Sequence, residues 1–226
     1  MDTLQGGENA MLAMFAAGAV ALLVLGALRA RRAGRRDPAR LLGVLGGAVP
    51  VGYLALLLAA SLTSHEKVLG LNQEKDFCGF YLDCHLSLSV VNVAKTRVLS
   101  GVRYVVIIKF RNNARPRTEG ERAFTLKPYH PVTVIVDDEG RTYERATDAE
   151  QLLVTNRGGG SPLVQRIAAG NSYTADLVFD LPADVRHPRL FVTEGFWLER
   201  ALELFLIGDE DSLLHKRTAF RLTAAG

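Results

Sequence analysis

The chain has 226 residues, 48% of them hydrophobic and 23% charged, a balance that excludes wholesale disorder and allows one or two compact units. Mean hydropathy is +0.11, high for that charge content, so the apolar residues must be unevenly spread. The pI near 9.0 does not describe a nucleic-acid surface: six of the 27 Lys and Arg fall between residues 29 and 40, and beyond residue 64 bases and acids balance at 21 each.

Ala10–Leu28 holds 19 residues without a charge, a helix of about 28 Å. Leu41–Ser64 holds 24 more, about 36 Å if helical. Transmembrane helices are therefore predicted over roughly 10–28 and 41–62. The connector 29–40 carries Arg29, Arg31, Arg32, Arg35, Arg36 and Arg40 against Asp37 alone. The positive-inside rule puts that connector in the cytoplasm, and with it both termini and everything after residue 64 outside the cytoplasmic membrane. A cleaved signal peptide would carry its bases before the apolar core, whereas here they follow it. The expected organisation is a retained hairpin over 1–64 and an extracytoplasmic domain over 65–226. Gly43 and Gly47 form a Gly-x-x-x-Gly pair through which the two backbones could approach closely. Neither span holds an ionisable residue, which removes most support for a channel or pump.

The outer domain alternates with period two. Leu86, Leu88 and Val90 share one face with Ser87 and Ser89 on the other. Tyr104, Val106, Ile108 and Phe110 form a longer strand whose second face is also partly apolar, as expected for a central position. Val132, Val134 and Val136 lead through Asp137-Asp138-Glu139-Gly140 into Arg141-Thr142-Tyr143, a hairpin pattern. Tyr173, Ala175, Leu177 and Phe179 make a fourth strand that stops at Leu181-Pro182, and Ala219–Leu222 a last one. Such strands, punctuated by Gly, Pro and Asn, predict an all-β antiparallel sandwich.

The order LSLSVVNVAKT, VRYVVIIKFRNN, VTVIVDDEGRTY and AGNSYTADLVFDLPAD resembles the immunoglobulin-like extracytoplasmic domains of many bacterial membrane proteins and lipoproteins, over roughly Leu86 to Glu194. Many of these are domains of unknown function, and some are similar in fold to a small secreted immunoprotective antigen. The resemblance implies an immunoglobulin-like sandwich and no catalytic residues.

Cys78 and Cys84 are the two cysteines, and on the outer side a structural disulfide is expected between them. Closing so short a loop would contribute about 2 kcal/mol on the chain-entropy estimate. The alternative is a copper or thiol redox site built from Cys78, Cys84 and His85, with His215 as a distant partner, since thiolate and imidazole suit copper. The spacing is not that of covalent haem attachment. Two helices before a β domain also resembles subunit II of haem-copper oxidases, but that family has its copper-binding cysteines near the domain's end and a Met ligand. Here the cysteines come first, and Met1, Met11 and Met14 all precede the domain. Strand alternation adds an objection, because Cys84 and His85 would point to opposite faces. Ser212 and His215, close to Asp209 and Asp211, have no nucleophile elbow around them and do not read as a triad. Gly158-Gly159-Gly160 lacks the Gly-Lys-Ser/Thr of a phosphate loop.

Residues 196–207 are the densest apolar stretch of the outer domain, and period alone leaves helix and strand both open. The simpler expectation is that Phe196, Trp197, Leu202, Leu204, Phe205 and Leu206 complete the core. The alternative is an apolar face toward the bilayer or other subunits of a membrane complex. With no convergent acids, bases or ligands, the reading favours a non-enzymatic, membrane-anchored binding, scaffolding or accessory-subunit protein without a cofactor, with the copper or thiol redox protein as the competing function.

Overall fold

The computed structural model describes residues 5–77, 85–115, 125–157, 162–207 and 211–222. The chain folds as two compact units. Among the described residues, one holds 5–65, 198–207 and 211–216, and the other holds 66–77, 85–115, 125–157, 162–197 and 217–222.

The first unit is built on α1 (Gln5–Arg32) and α2 (Arg36–Leu62). Both uncharged runs are helical, but the helices extend into the expected connector, leaving residues 33–35 between them. The cause is chemical. Arginine is a good helix former, and Arg29, Arg31 and Arg32 in the last turn of α1 complement the helix dipole. The stop comes from Gly34 at φ +73, whose N–H bonds the Arg31 carbonyl while the Arg35 N–H reaches back to Ala30, a Schellman closure. α2 continues through Pro50. The close approach of the helices does not use the expected glycines. A Cβ on Gly26 would meet Leu42 Cδ1 at 3.2 Å and one on Gly46 would meet Leu23 Cβ at 3.6 Å, whereas Gly43 and Gly47 face open space.

The second unit is β-rich. One sheet joins β2 (Glu74–Phe77), β3 (Leu86–Val98), β4 (Gly101–Asn112) and β9 (Ser172–Leu181) in that order, all antiparallel. The other has the order β1 (Lys67–Leu69), β11 (Thr218–Arg221), β10 (Arg189–Thr193), β6 (Val132–Val136) and β7 (Thr142–Tyr143), antiparallel except for the β1–β11 pair. A small pair joins β5 (Thr125–Leu126) to β8 (Ile167–Ala168). Side chains from both large sheets form one core, with Leu88, Val90, Val106, Ile108, Phe110, Phe179, Leu190 and Phe220 at full burial. β4 lies between β3 and β9, as its two apolar faces predicted.

Several elements depart from the sequence expectation. Ser87 and Ser89 are buried as deeply as their apolar neighbours, and the Ser87 hydroxyl is satisfied there, donating to Glu74 and accepting from Asn113. β1 and β2 are short and polar and were not expected. α3 (Thr147–Arg157) falls where no helix was expected. Its Glu150 accepts the Val178 N–H while Ala146 donates to the Val178 carbonyl, so the free edge of β9 is covered at that point.

Candidate functional site

Phe196, Leu202, Leu204 and Phe205 do not complete the core. Among the described residues, Phe196, Leu202, Leu204, Phe205 and Leu206 do not belong to the core cluster of the two sheets. Trp197–Glu203 forms α4, followed by turns, and Leu202, Leu204 and Phe205 stand exposed while Leu206 is buried. The side chain of Trp197 lies outside the described residues. Residues 198–207 and 211–216 belong to the unit of the two helices, where Leu213 and Leu214 are also exposed.

Three hydrogen bonds tie this segment to α2 and the residues just after it. Ser64 Oγ accepts the Lys216 N–H at 2.9 Å, Ser61 and Ser212 meet hydroxyl to hydroxyl at 3.4 Å, and the Tyr53 hydroxyl donates to the Phe205 carbonyl at 2.6 Å. The segment also closes its own backbone. The N–H groups of Leu204, Phe205, Leu206, Leu213 and His215 all donate to carbonyls within it. Polar side-chain atoms are turned inward: Arg200 Nε, Glu203 Oε2, Asp211 Oδ1 and His215 Nδ1 are out of contact with solvent. Beside Phe205, an open groove of about 790 Å³ runs between α1 and α2, walled by residues such as Ala17, Val24, Pro50 and Leu54. The Tyr53 side chain, which also lines it, has its hydroxyl engaged by Phe205.

The metal and redox candidates divide differently. Cys78 and Cys84, and with them the expected disulfide, lie outside the described residues. His85 is exposed, its carbonyl accepting the Asn113 N–H at 2.7 Å, and it belongs to the β unit while His215 belongs to the helical unit. Among the described residues, no three His, Cys, Asp or Glu side chains stand together as metal ligands, so no copper site is assembled there. Ser212 is buried beside Ser61, with no base bonded to its hydroxyl among the described residues.

Sequence reasoning missed an ionisable group in the β unit. Lys75 faces the core from β2 at 6% exposure, its Nζ donating to the Val192 carbonyl at 2.6 Å and lying 4.8 Å from the Phe77 ring centre. Burial pushes the nearby Glu194 carboxyl up to about 7, against the opposing pull of the Tyr129 N–H that it accepts and the charge of Lys75. The signal available was the alternation of Glu74-Lys75-Asp76-Phe77, which puts Lys75 on the face of Phe77.

A second polar cluster is structural. Asp137, 2% exposed, accepts the N–H groups of Glu139 and Arg141, the Arg141 Nε and the Tyr143 hydroxyl. Desolvation would raise its carboxyl, but those four donors prevail and hold it below the usual carboxylate range. Every acceptor site is used in fixing the β6–β7 hairpin, where Gly140 takes the expected positive φ of 78°.

No protein-family model and no curated protein matches the chain. Solved structures similar to it include a secreted protein from Mycobacterium tuberculosis, at 10% identity over 70% of this chain and 99% of that one, with a TM-score of 0.42. The yjhA protein from Bacillus subtilis is 12% identical over 68% of this chain and 98% of its own, at 0.40. A conserved hypothetical protein from Bacillus anthracis is 14% identical over 55% and 87%, at 0.39.

Proposed function

We propose that the protein is a membrane-anchored, extracytoplasmic binding, scaffolding or accessory-subunit module without enzymatic activity. In this reading α1 and α2 cross the cytoplasmic membrane as a hairpin, the Arg29–Arg40 cluster faces the cytoplasm, and both termini and the β unit lie outside. The observation that carries it is the outward face of the helices, where Phe15, Leu22 and Val44 are each at least 70% exposed. An apolar surface of that extent is stable against acyl chains and a liability in water. At the hairpin's closed end the arginines supply the charge asymmetry that sets orientation.

The immunoglobulin-like reading of the β unit draws support from strand order. The sequence β3-β4-β9 in one sheet and β7-β6-β10-β11 in the other corresponds to the A-B-E and C′-C-F-G orders of that fold, with β1 and β2 added before it. Partner subunits would dock through the exposed apolar residues of 196–207. On the oxidising side, Cys78 and Cys84 would be joined as a disulfide.

Reporter fusions test this placement. A reporter that requires export should be active after Gly226 and inactive when fused after Gly34. The reverse pattern would refute the orientation. Release of the full chain from membranes by alkaline washing would refute the anchoring itself.

A further inference from the structure

We infer that the free edge of β3 over residues 91–98 is a strand-addition site that takes an extended peptide bearing acidic side chains at alternate positions. This adds a recognition surface on the β unit to the proposed binding role, and it holds whether or not the helices lie in a membrane. β2 pairs with β3 only from Leu86 to Ser89, and the Asn72 N–H closes on the Val90 carbonyl. Beyond that point, among the described residues, β3 is paired on one side alone, with β4, as far as the two-residue turn between Val98 and Gly101. At the strand rise residues 91–98 leave an open edge of about 27 Å. The other edge strands β1, β2 and β7 run only two to four residues, and the β9 edge is covered at Val178 by Glu150 of α3. A two-residue turn makes Val98 and Gly101 a hydrogen-bonded pair, so ladder alternation turns the backbone groups of Arg97, Lys95 and Val93 to the open side. The Val93 N–H meets Asn92 Oδ1 at 2.8 Å, which leaves those of Lys95 and Arg97 for a partner strand.

Charge decides the occupant. Alternation puts Lys95 and Arg97 on the face of Val93, with Lys95 Nζ 5.1 Å from the Tyr104 ring centre. Neither base has an acidic partner among the described residues, whereas Arg103 on the facing strand is bonded twice to Asp180. Bases on an edge repel a like-charged strand and select one that places carboxylates opposite them. A second copy pairing antiparallel brings its own Lys95 and Arg97 alongside these, so the occupant is not another β3.

Full-length protein in mild detergent is titrated with a labelled, end-blocked peptide of sequence Thr-Glu-Thr-Glu-Thr and with its Thr-Lys-Thr-Lys-Thr counterpart; threonine favours the extended form and keeps both out of the micelle. The acidic peptide should bind and the basic one should not. Binding should slow amide exchange at Lys95 and Arg97 by about tenfold or more. Lys95→Glu combined with Arg97→Glu, at two exposed positions, should weaken the acidic peptide by about tenfold and gain the basic one. No binding of the acidic peptide, equal binding of both, or binding that leaves the Lys95 and Arg97 amides exchanging as before would overturn the inference. Protection of those amides that rises with protein concentration without peptide would give the edge to a second copy and overturn the acidic occupant. The reporter fusions are read separately, so failure of the anchor and failure of this site are distinguishable.

Discussion

The Tyr53 hydroxyl bonds the Phe205 carbonyl, two residues 152 apart in sequence. The bond is one of three that join Phe205, Ser212 and Lys216 to α2 and the residues that follow it. Tyr53→Phe keeps the ring and removes the donor, leaving one backbone carbonyl unpaired. The expected loss is about 1 kcal/mol, the scale of a side-chain hydrogen bond in a membrane protein. It is read as faster tryptic cleavage after Arg200 in detergent-solubilised protein, with the β unit's cleavage unchanged.

Glu194 makes the β unit lose stability as pH rises from the free carboxyl range toward neutrality. Its carboxyl has been raised from the ordinary value of 4.5 to about 7, so the native state holds that proton more tightly than the unfolded chain does. Its stabilising contribution is complete below the free carboxyl range and is lost as pH rises through about 7, up to about 3 kcal/mol in all. Denaturant unfolding at about pH 5 and about pH 8 should show the loss, and Glu194→Gln should flatten the difference by raising stability at the higher pH.

Gly101 sits at φ +144 directly after the β3–β4 turn, and a Cβ there would meet the Leu181 carbonyl oxygen at 2.1 Å. Gly101→Ala therefore forces β9 away from the end of β4, where Val102 pairs with Leu181. A loss above about 1 kcal/mol is expected from the strained φ together with the displaced strand. Hydrogen exchange should show lost protection concentrated at Leu181 and Val102.

The proposed disulfide predicts that thiol alkylation under denaturing conditions labels neither Cys78 nor Cys84 before reduction and both afterwards. Full labelling without reductant would refute it.

The helices were legible because an uncharged run of such length has few alternatives, and β3, β4, β6, β7 and β9 because their alternation survives in the chain. What was not legible has physical causes. Ser87 reads as a solvent-facing residue until Glu74 and Asn113 are seen to bond it, a long-range effect. The start of α3 carries Thr147-Asp148-x-Glu150, a capping-box spacing that could have announced it. For residues 196–207, apolar density alone does not distinguish a core from a surface facing lipid. The Tyr53 contact, made from a helix 152 residues away in sequence, is likewise visible only in the folded chain.

The central claim is the orientation of the hairpin, and the intact chain tests it without fusions. Protease added to sealed, right-side-out spheroplasts should remove the β unit and leave a protected fragment containing Arg29 to Arg40. If the β unit survives until the spheroplasts are lysed, it lies within the cytoplasm and the proposed function is contradicted.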